Sequence, residues 1–196
     1  MNLMPFDELN TFKEMATRYV NEPLAHSEKE KLRDDMWEYI EFLLIEAYTY
    51  GNVQAMQDLG ILDRDPASLI DPDVMEQTIN ERIADKTYKD RIREYLDDET
   101  STVEDFVRVA ETDSTRVYNA GVVDGGKNSG IQGVKKQWIT MEDEKVRSTH
   151  EYLANMTVPL DADFYSWDGD HARAPGLFSL PENNINCRCT LSLIRE

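Results

Sequence analysis

The chain has 196 residues, 40% of them hydrophobic, with 21 Lys plus Arg against 39 Asp plus Glu and a net charge of −18. That apolar share is enough to build a core and excludes wholesale disorder, and the length suits one domain or one domain with a helical extension. A field of this sign repels nucleic acid in general, so direct DNA binding would need a local basic patch or a cation.

The segment from Pro5 to Val20 carries Phe6, Leu9, Phe12, Ala16 and Tyr19 at helical spacing, and Pro23 ends it. Ser27, with Glu30 three residues on, predicts a capping box that opens a second helix. Its apolar stripe is Leu32, Met36, Ile40, Leu43, Ala47 and Tyr50, and Gly51 is expected to break or bend it. After a loop over 63–72, Asp71-Pro72 supplies an N-cap followed by proline at the first helical position. Val74, Met75, Ile79 and Ile83 form one face there, and Tyr88, Ile92, Tyr95 and Leu96 continue the pattern. Ser101 with Glu104 predicts another capping box, opening a helix through Phe106, Ala110 and Val117 that fades at Gly121 or at Gly125-Gly126.

Beyond Gly130 the character changes. Trp138 and Ile139 read as a short strand, and Thr140 to His150 as the start of a helix capped by Thr140. From Asn155 onward Pro, Gly, Asn and Asp are dense, which predicts short strands and ordered loops, with a strand over Thr190 to Ile194. The expected fold is therefore α+β: a helical N-terminal region of about five helices, then a small loop-rich C-terminal module with short strands. The boundary is expected near residue 100, giving a helical region over 1–100 and a second domain over 101–196.

Several functional classes find no support in the residues. No apolar run reaches the roughly 18 residues of a membrane helix, and the opening Met1–Met15 lacks the basic-then-apolar order of a secretory signal. No HExxH or Gly-x-Ser-x-Gly pattern occurs, and the glycines from Gly125 to Gly133 lack the order of a phosphate loop. Asp168-Gly169-Asp170 has no glutamate at the distance a calcium loop requires. The candidate basic patches are small: Lys127 with Lys135 and Lys136, and Arg173 with Arg188.

The residues that bear chemistry are His150, Cys187 and Cys189. One residue between the cysteines would make a strained disulfide, so the pair is read as reduced. A loop-rich segment of about 60 residues has little core of its own and is helped by a staple. Zinc would supply one through thiolate and imidazole, with Asp143 or His171 as a fourth ligand. The alternative is two small buried thiols and a hydrogen-bonded histidine. Asp143, Arg147 and His150 form a second polar group: on a helix, Asp143 and Arg147 would share a face and pair. An enzyme could use His150 as a base with Asp143 orienting it, but no nucleophile stands at a diagnostic spacing, and a structural network is the expected reading.

Four blocks then follow in order. They are Arg108-Val-Ala-Glu-Thr-Asp-Ser-Thr-Arg116 with Asn119-Ala-Gly121; Lys136-Gln-Trp138-Ile-Thr with Asp143-Glu-Lys-Val-Arg147-Ser-Thr-His150; Val158-Pro159-Leu160 with Phe164 and Pro175-Gly176; and Pro181-Glu182-Asn183-Asn-Ile-Asn186-Cys187-Arg188-Cys189. This order resembles the C-terminal domain of the phage Mu protein F-like minor head proteins, most strongly from Arg108 to Leu191. There are departures: Ala110-Glu111-Thr112-Asp113 stands where the family often has Arg-Thr-Glu, and Ala154-Asn155 where it often has glycine. In some relatives a Cys-x-x-Cys pair replaces Arg147 and His150, a swap that makes sense if that segment faces Cys187 and Cys189. The resemblance implies a virion protein assembled in the host cytoplasm. Its partners would be the portal, capsid and scaffold proteins, its tasks head assembly and DNA ejection, and its DNA contact indirect. Trp138, Asp143, Arg147 and Asn186 would form a structural network around a possible zinc ligand set of His150, Cys187 and Cys189. The alternative is an enzyme related to toxin domains, a transferase or nuclease, with His150 and Asp143 catalytic.

Overall fold

The computed structural model describes residues 6–83 and 85–195. The opening five residues, including the expected helix start at Pro5, lie outside them, as does the side chain of Phe6. Helix α1 (Phe6–Asn21) buries Phe12 and Ala16. Helix α2 (His26–Leu59) starts two residues before the expected capping box. Its cap is Ala25, whose N–H donates to the Glu28 carboxylate at 3.1 Å, so the reach-back half of a capping box forms without a hydroxyl partner. A 3₁₀ turn (Pro66–Leu69) leads to α3 (Pro72–Ile79), where Asp71 accepts the N–H groups of Asp73 and Val74, as its Asp-Pro signature predicts. Ile83 does not extend that face: α3 stops at Ile79, and Ile83 bridges to Lys86 instead. Helix α4 (Tyr88–Asp97) opens on a Thr87/Asp90 capping box, and α5 (Val103–Asn128) on Thr102/Asp105, one residue beyond the expected Ser101/Glu104.

Neither Gly51 nor Gly121 ends its helix, and the reason is packing; α5 runs to Asn128, just past Gly125-Gly126, the later of its two expected ends. Both α2 and α5 run on through their glycines. A Cβ at Gly51 would lie 2.1 Å from the Tyr118 carbonyl oxygen, and one at Gly121 would lie 2.3 Å from the Tyr48 carbonyl oxygen. The two backbones touch here, and each glycine is the space the other helix occupies. The buried stripe of α2 accordingly passes through Tyr48, Gly51 and Ala55, while Tyr50, expected inside, faces out.

The C-terminal part is built on β1 (Lys135–Ile139), which lies between β2 (Thr157–Pro159) and β5 (Thr190–Ile194), both antiparallel to it. The expected strands at Trp138-Ile139 and Thr190–Ile194 are thus neighbours, with Trp138 opposite Leu191. A separate hairpin pairs β3 (Phe164–Tyr165) with β4 (His171–Ala172). One-turn helices α6 (Ser148–Glu151) and α7 (Pro181–Asn184) complete seven α-helices among the described residues, five long and two short. The fold is α+β, helical first and short-stranded last. Strand β5 packs on both α2 and α5, and the Leu193 N–H donates to Asp58 of α2 at 2.6 Å. One apolar cluster extends from Phe12 of α1 to Leu193 of β5.

A buried ion network fixes α5 in place. Asp113, 1% exposed, accepts from Arg91 of α4 at 2.6 and 2.7 Å and from Arg116 Nε at 3.2 Å. Arg116 also donates to the carbonyl oxygens of Thr78 and Ile79, satisfying the C-terminal end of α3 with a cation where the helix dipole favours one. Gly176 lies against this residue: its φ is +82°, and a Cβ there would come within 3.0 Å of the Arg116 Cα.

Candidate metal centre

Three short elements bring the sulfur and imidazole groups together. Alternation along β1 turns Lys136 and Trp138 inward. The Trp138 ring meets His150 edge-on at 5.3 Å, and Phe178 stacks on His150 at 5.5 Å with the rings 25° apart. His150 belongs to α6 and is 2% exposed. Cys187 follows α7 after Asn186, whose φ of 57° turns the chain back, and Cys189 directly precedes β5. The His150 Nδ1 lies 3.6 Å from Cys187 Sγ and 3.5 Å from Cys189 Sγ, and the three donor atoms lie within 4.8 Å of one another.

These separations fit a zinc ligand set. Zn–S of about 2.3 Å and Zn–N of about 2.0–2.1 Å at a tetrahedral angle put sulfur and nitrogen about 3.5–3.6 Å apart. Both cysteines are buried and free. A hydrogen bond from Cys187 holds the Cys189 thiol well below its ordinary range, against burial; the same bond, with burial, pushes Cys187 up. The pair therefore gives up its first proton readily, as a metal ligand must. The His150 Nε2 is buried without a hydrogen-bond partner, so the sulfurs, Trp138 and Phe178 orient this ring.

The expected fourth ligands are engaged elsewhere. His171 bonds Asp163 at 2.8 Å and stacks on Tyr165 in the β3–β4 hairpin. Asp143 makes a two-point ion pair with Arg188 at 2.7 and 2.8 Å, which holds its carboxyl below the usual range. Residues 140–147 are not helical, so Asp143 and Arg147 share no face and the expected pairing between them is absent. Nor does the Asp143 carboxylate, held by Arg188, orient His150.

Arg147 has a different task. Its guanidinium donates to the carbonyl oxygens of Glu182 and Ile185, satisfying the end of α7 and tying the histidine segment to the cysteine segment. Asn186 adds a third tie, its N–H donating to Thr112 Oγ1 of α5 at 3.2 Å. Each of the four expected network residues thus touches this knot, three of them through partners that spacing alone does not reveal.

Other contributors escaped the sequence reading. Asn119 of α5 donates to the carbonyl oxygens of Thr115, Pro175 and Cys189 and accepts the Leu191 N–H. Asp170 accepts from Ser179, Leu180 and Asn183, and Asn184 pairs with both backbone groups of Phe178. The Asp-Gly-Asp turn therefore anchors its own loop. A buried Asn in mid-helix and the density of Asn and Asp after Gly169 were the available signals. The candidate basic patches are compensated: Lys136 is buried with Nζ on the Arg173 carbonyl at 2.7 Å. Lys127 pairs with Asp124, Arg173 with Glu81 and Arg188 with Asp143.

Residues 73–192 match the family described as Phage Mu protein F like protein. The match takes in more than half of the chain and all three donors, and the chain belongs to that family. It is 30% identical over 109 residues to the NAD(+)–arginine ADP-ribosyltransferase EFV of Enterococcus faecalis, covering 54% of this chain and 22% of that protein. It is 29% identical over 83 residues to the minor head protein GP7 of Bacillus phage SPP1, covering 42% of this chain and 27% of that protein. The chain thus spans about a quarter of the length of these curated relatives. No solved structure matches it.

Proposed function

We propose that this chain is a minor head protein of a tailed bacteriophage. In this reading it docks on the portal protein and the capsid interior and serves head assembly or DNA ejection. The observation that carries the proposal is family membership over 73–192 together with similarity to a protein named as a phage minor head protein. Charge supports an indirect relation to DNA: at −18, with its candidate cation patches paired or buried, the chain has little to offer a phosphate backbone. No helix among the described residues is long and apolar enough to cross a membrane. The test is co-purification of the full chain with the portal protein of its own phage. Stoichiometric recovery at physiological salt supports the proposal, and clean separation of the two overturns the portal contact.

We further propose that the knot holds one zinc ion through His150 Nδ1, Cys187 Sγ and Cys189 Sγ, with an architectural task. The support is the match between the sulfur–nitrogen separations and a tetrahedral edge. Metal analysis of the purified chain is expected to give one zinc per chain, lost in Cys187→Ser and Cys189→Ser.

A transferase reading has one observation in its favour, the similarity to the ADP-ribosyltransferase. That similarity involves 22% of the relative, and Asp143 is spent on Arg188. Incubation with NAD+ and an arginine-bearing acceptor is expected to yield no product; turnover abolished by His150→Ala would reverse the order of the two readings.

A further inference from the structure

The zinc reading leaves one coordination position to be assigned, and the following inference rests on that reading. A tetrahedral site takes four donors, and three gather here. All three donor residues border one cleft that opens to solvent and has a volume of about 10 Å³, room for about one water-sized group. Its other walls include Lys145, Arg147, Asn186 and Arg188, so three cations border the cleft that leads to the donors. Charge then selects the kind of donor. Zinc with two thiolates and a neutral imidazole carries no net charge. The Arg188 charge is offset by Asp143, whereas the Arg147 guanidinium is bonded to carbonyl oxygens. Lys145 is exposed at the rim. An incoming anion thus gains attraction from the rim at little cost in repulsion from the metal centre.

We infer that the fourth position is completed from outside the chain by a monodentate anionic donor. Two sources share that chemistry: an anion from solution and a carboxylate of a neighbouring head protein. The centre would then be open, the arrangement that lets a metal ion accept an exchangeable ligand, rather than a closed four-ligand staple.

The test replaces zinc by cobalt(II) in the full-length chain, reads its visible d–d bands, and uses sodium azide as the probe. The expected result is one cobalt per chain and a saturable shift of the bands with azide. Lys145→Gln, at an exposed residue, is expected to raise the half-saturating azide concentration about twofold through the lost surface charge. Comparing the chain alone with the chain assembled in heads separates the sources. Unchanged bands on assembly assign the donor to solution, and altered bands that no longer respond to azide assign it to a partner carboxylate. A four-coordinate cobalt spectrum in the isolated chain that azide leaves untouched means the fourth donor comes from this chain, and overturns the inference while leaving the metal site standing. Failure to bind cobalt overturns the metal reading itself.

Discussion

Asn119, in the middle of α5, brackets the start of β5 just after Cys189: its Nδ2 donates to the Cys189 carbonyl at 3.0 Å and its Oδ1 accepts the Leu191 N–H at 3.0 Å. One helix residue thereby sets the position of a candidate metal ligand 70 residues further along the chain. Asn119→Ala removes all of these bonds and leaves buried backbone groups without partners. The expected cost is about 2–4 kcal/mol of unfolding free energy, measured by urea denaturation, with zinc bound more weakly in the same variant.

Asp113 balances Arg91 and Arg116 inside the helical layer. Asp113→Ala leaves the Arg116 guanidinium, itself 1% exposed, stranded from its buried carboxylate, with the Thr78 and Ile79 carbonyls and the partly exposed Glu81 at 3.7 Å as its remaining partners. Breaking a buried pair from one side costs about 3–5 kcal/mol, enough to unfold many domains of this size near body temperature. The same measurement on Arg91→Ala, which removes the more exposed partner, is expected to show a smaller loss. Equal losses would mean that Arg116 is not the group left stranded.

The α2–α5 crossing predicts an inverted glycine effect. In an exposed helix, Gly→Ala stabilises by up to about 1 kcal/mol. Gly121→Ala would place a Cβ 2.3 Å from the Tyr48 carbonyl oxygen, forcing the helices apart, and is expected to cost about 1–3 kcal/mol or more. A rise in thermal midpoint for Gly121→Ala would show that the backbones do not meet at this point.

Lys136 makes stability depend on alkaline pH. Burial pushes its ammonium down from 10.5 to about 8, with Lys127 and Arg173 pushing the same way and Asp163 and Asp161 opposing. Between about 8 and 10.5 the unfolded chain therefore binds more protons at this site than the folded one, so stability rises with pH across that window. The gain over the whole window is at most about 3–4 kcal/mol. Urea midpoints compared at the two ends of the window check it. Lys136→Met should lack the rise, and an equal rise in both proteins would assign it to other groups.

Long helices were legible because apolar spacing at 3.6 residues is redundant over many turns: Leu32, Met36, Ile40 and Leu43 all lie where the pattern puts them. Their starts were legible to within one or two residues, since several neighbouring Ser, Thr, Asp and Glu can each serve as a cap. Gly51 and Gly121 read as breaks because a local rule treats glycine as a breaker, while here each answers to a helix distant in sequence. The meeting of His150 with Cys187 and Cys189 was visible as residue types. The partners of Asp143 and Arg147 were not, because Thr140 predicts a helix through His150 and the chain forms only the single turn of α6. Asn119 and Asp113 are polar residues whose importance comes wholly from burial, and burial in mid-helix is decided by the tertiary fold.

The central claim, that this chain is a built-in part of a phage head around an architectural His/Cys knot, is tested most directly by mass spectrometry of purified heads from its own phage. The account predicts peptides of the wild-type chain at a fixed ratio to the portal protein. It also predicts their loss when the chain carries Cys187→Ser and Cys189→Ser together. Heads of normal composition that never contain the wild-type chain would contradict it.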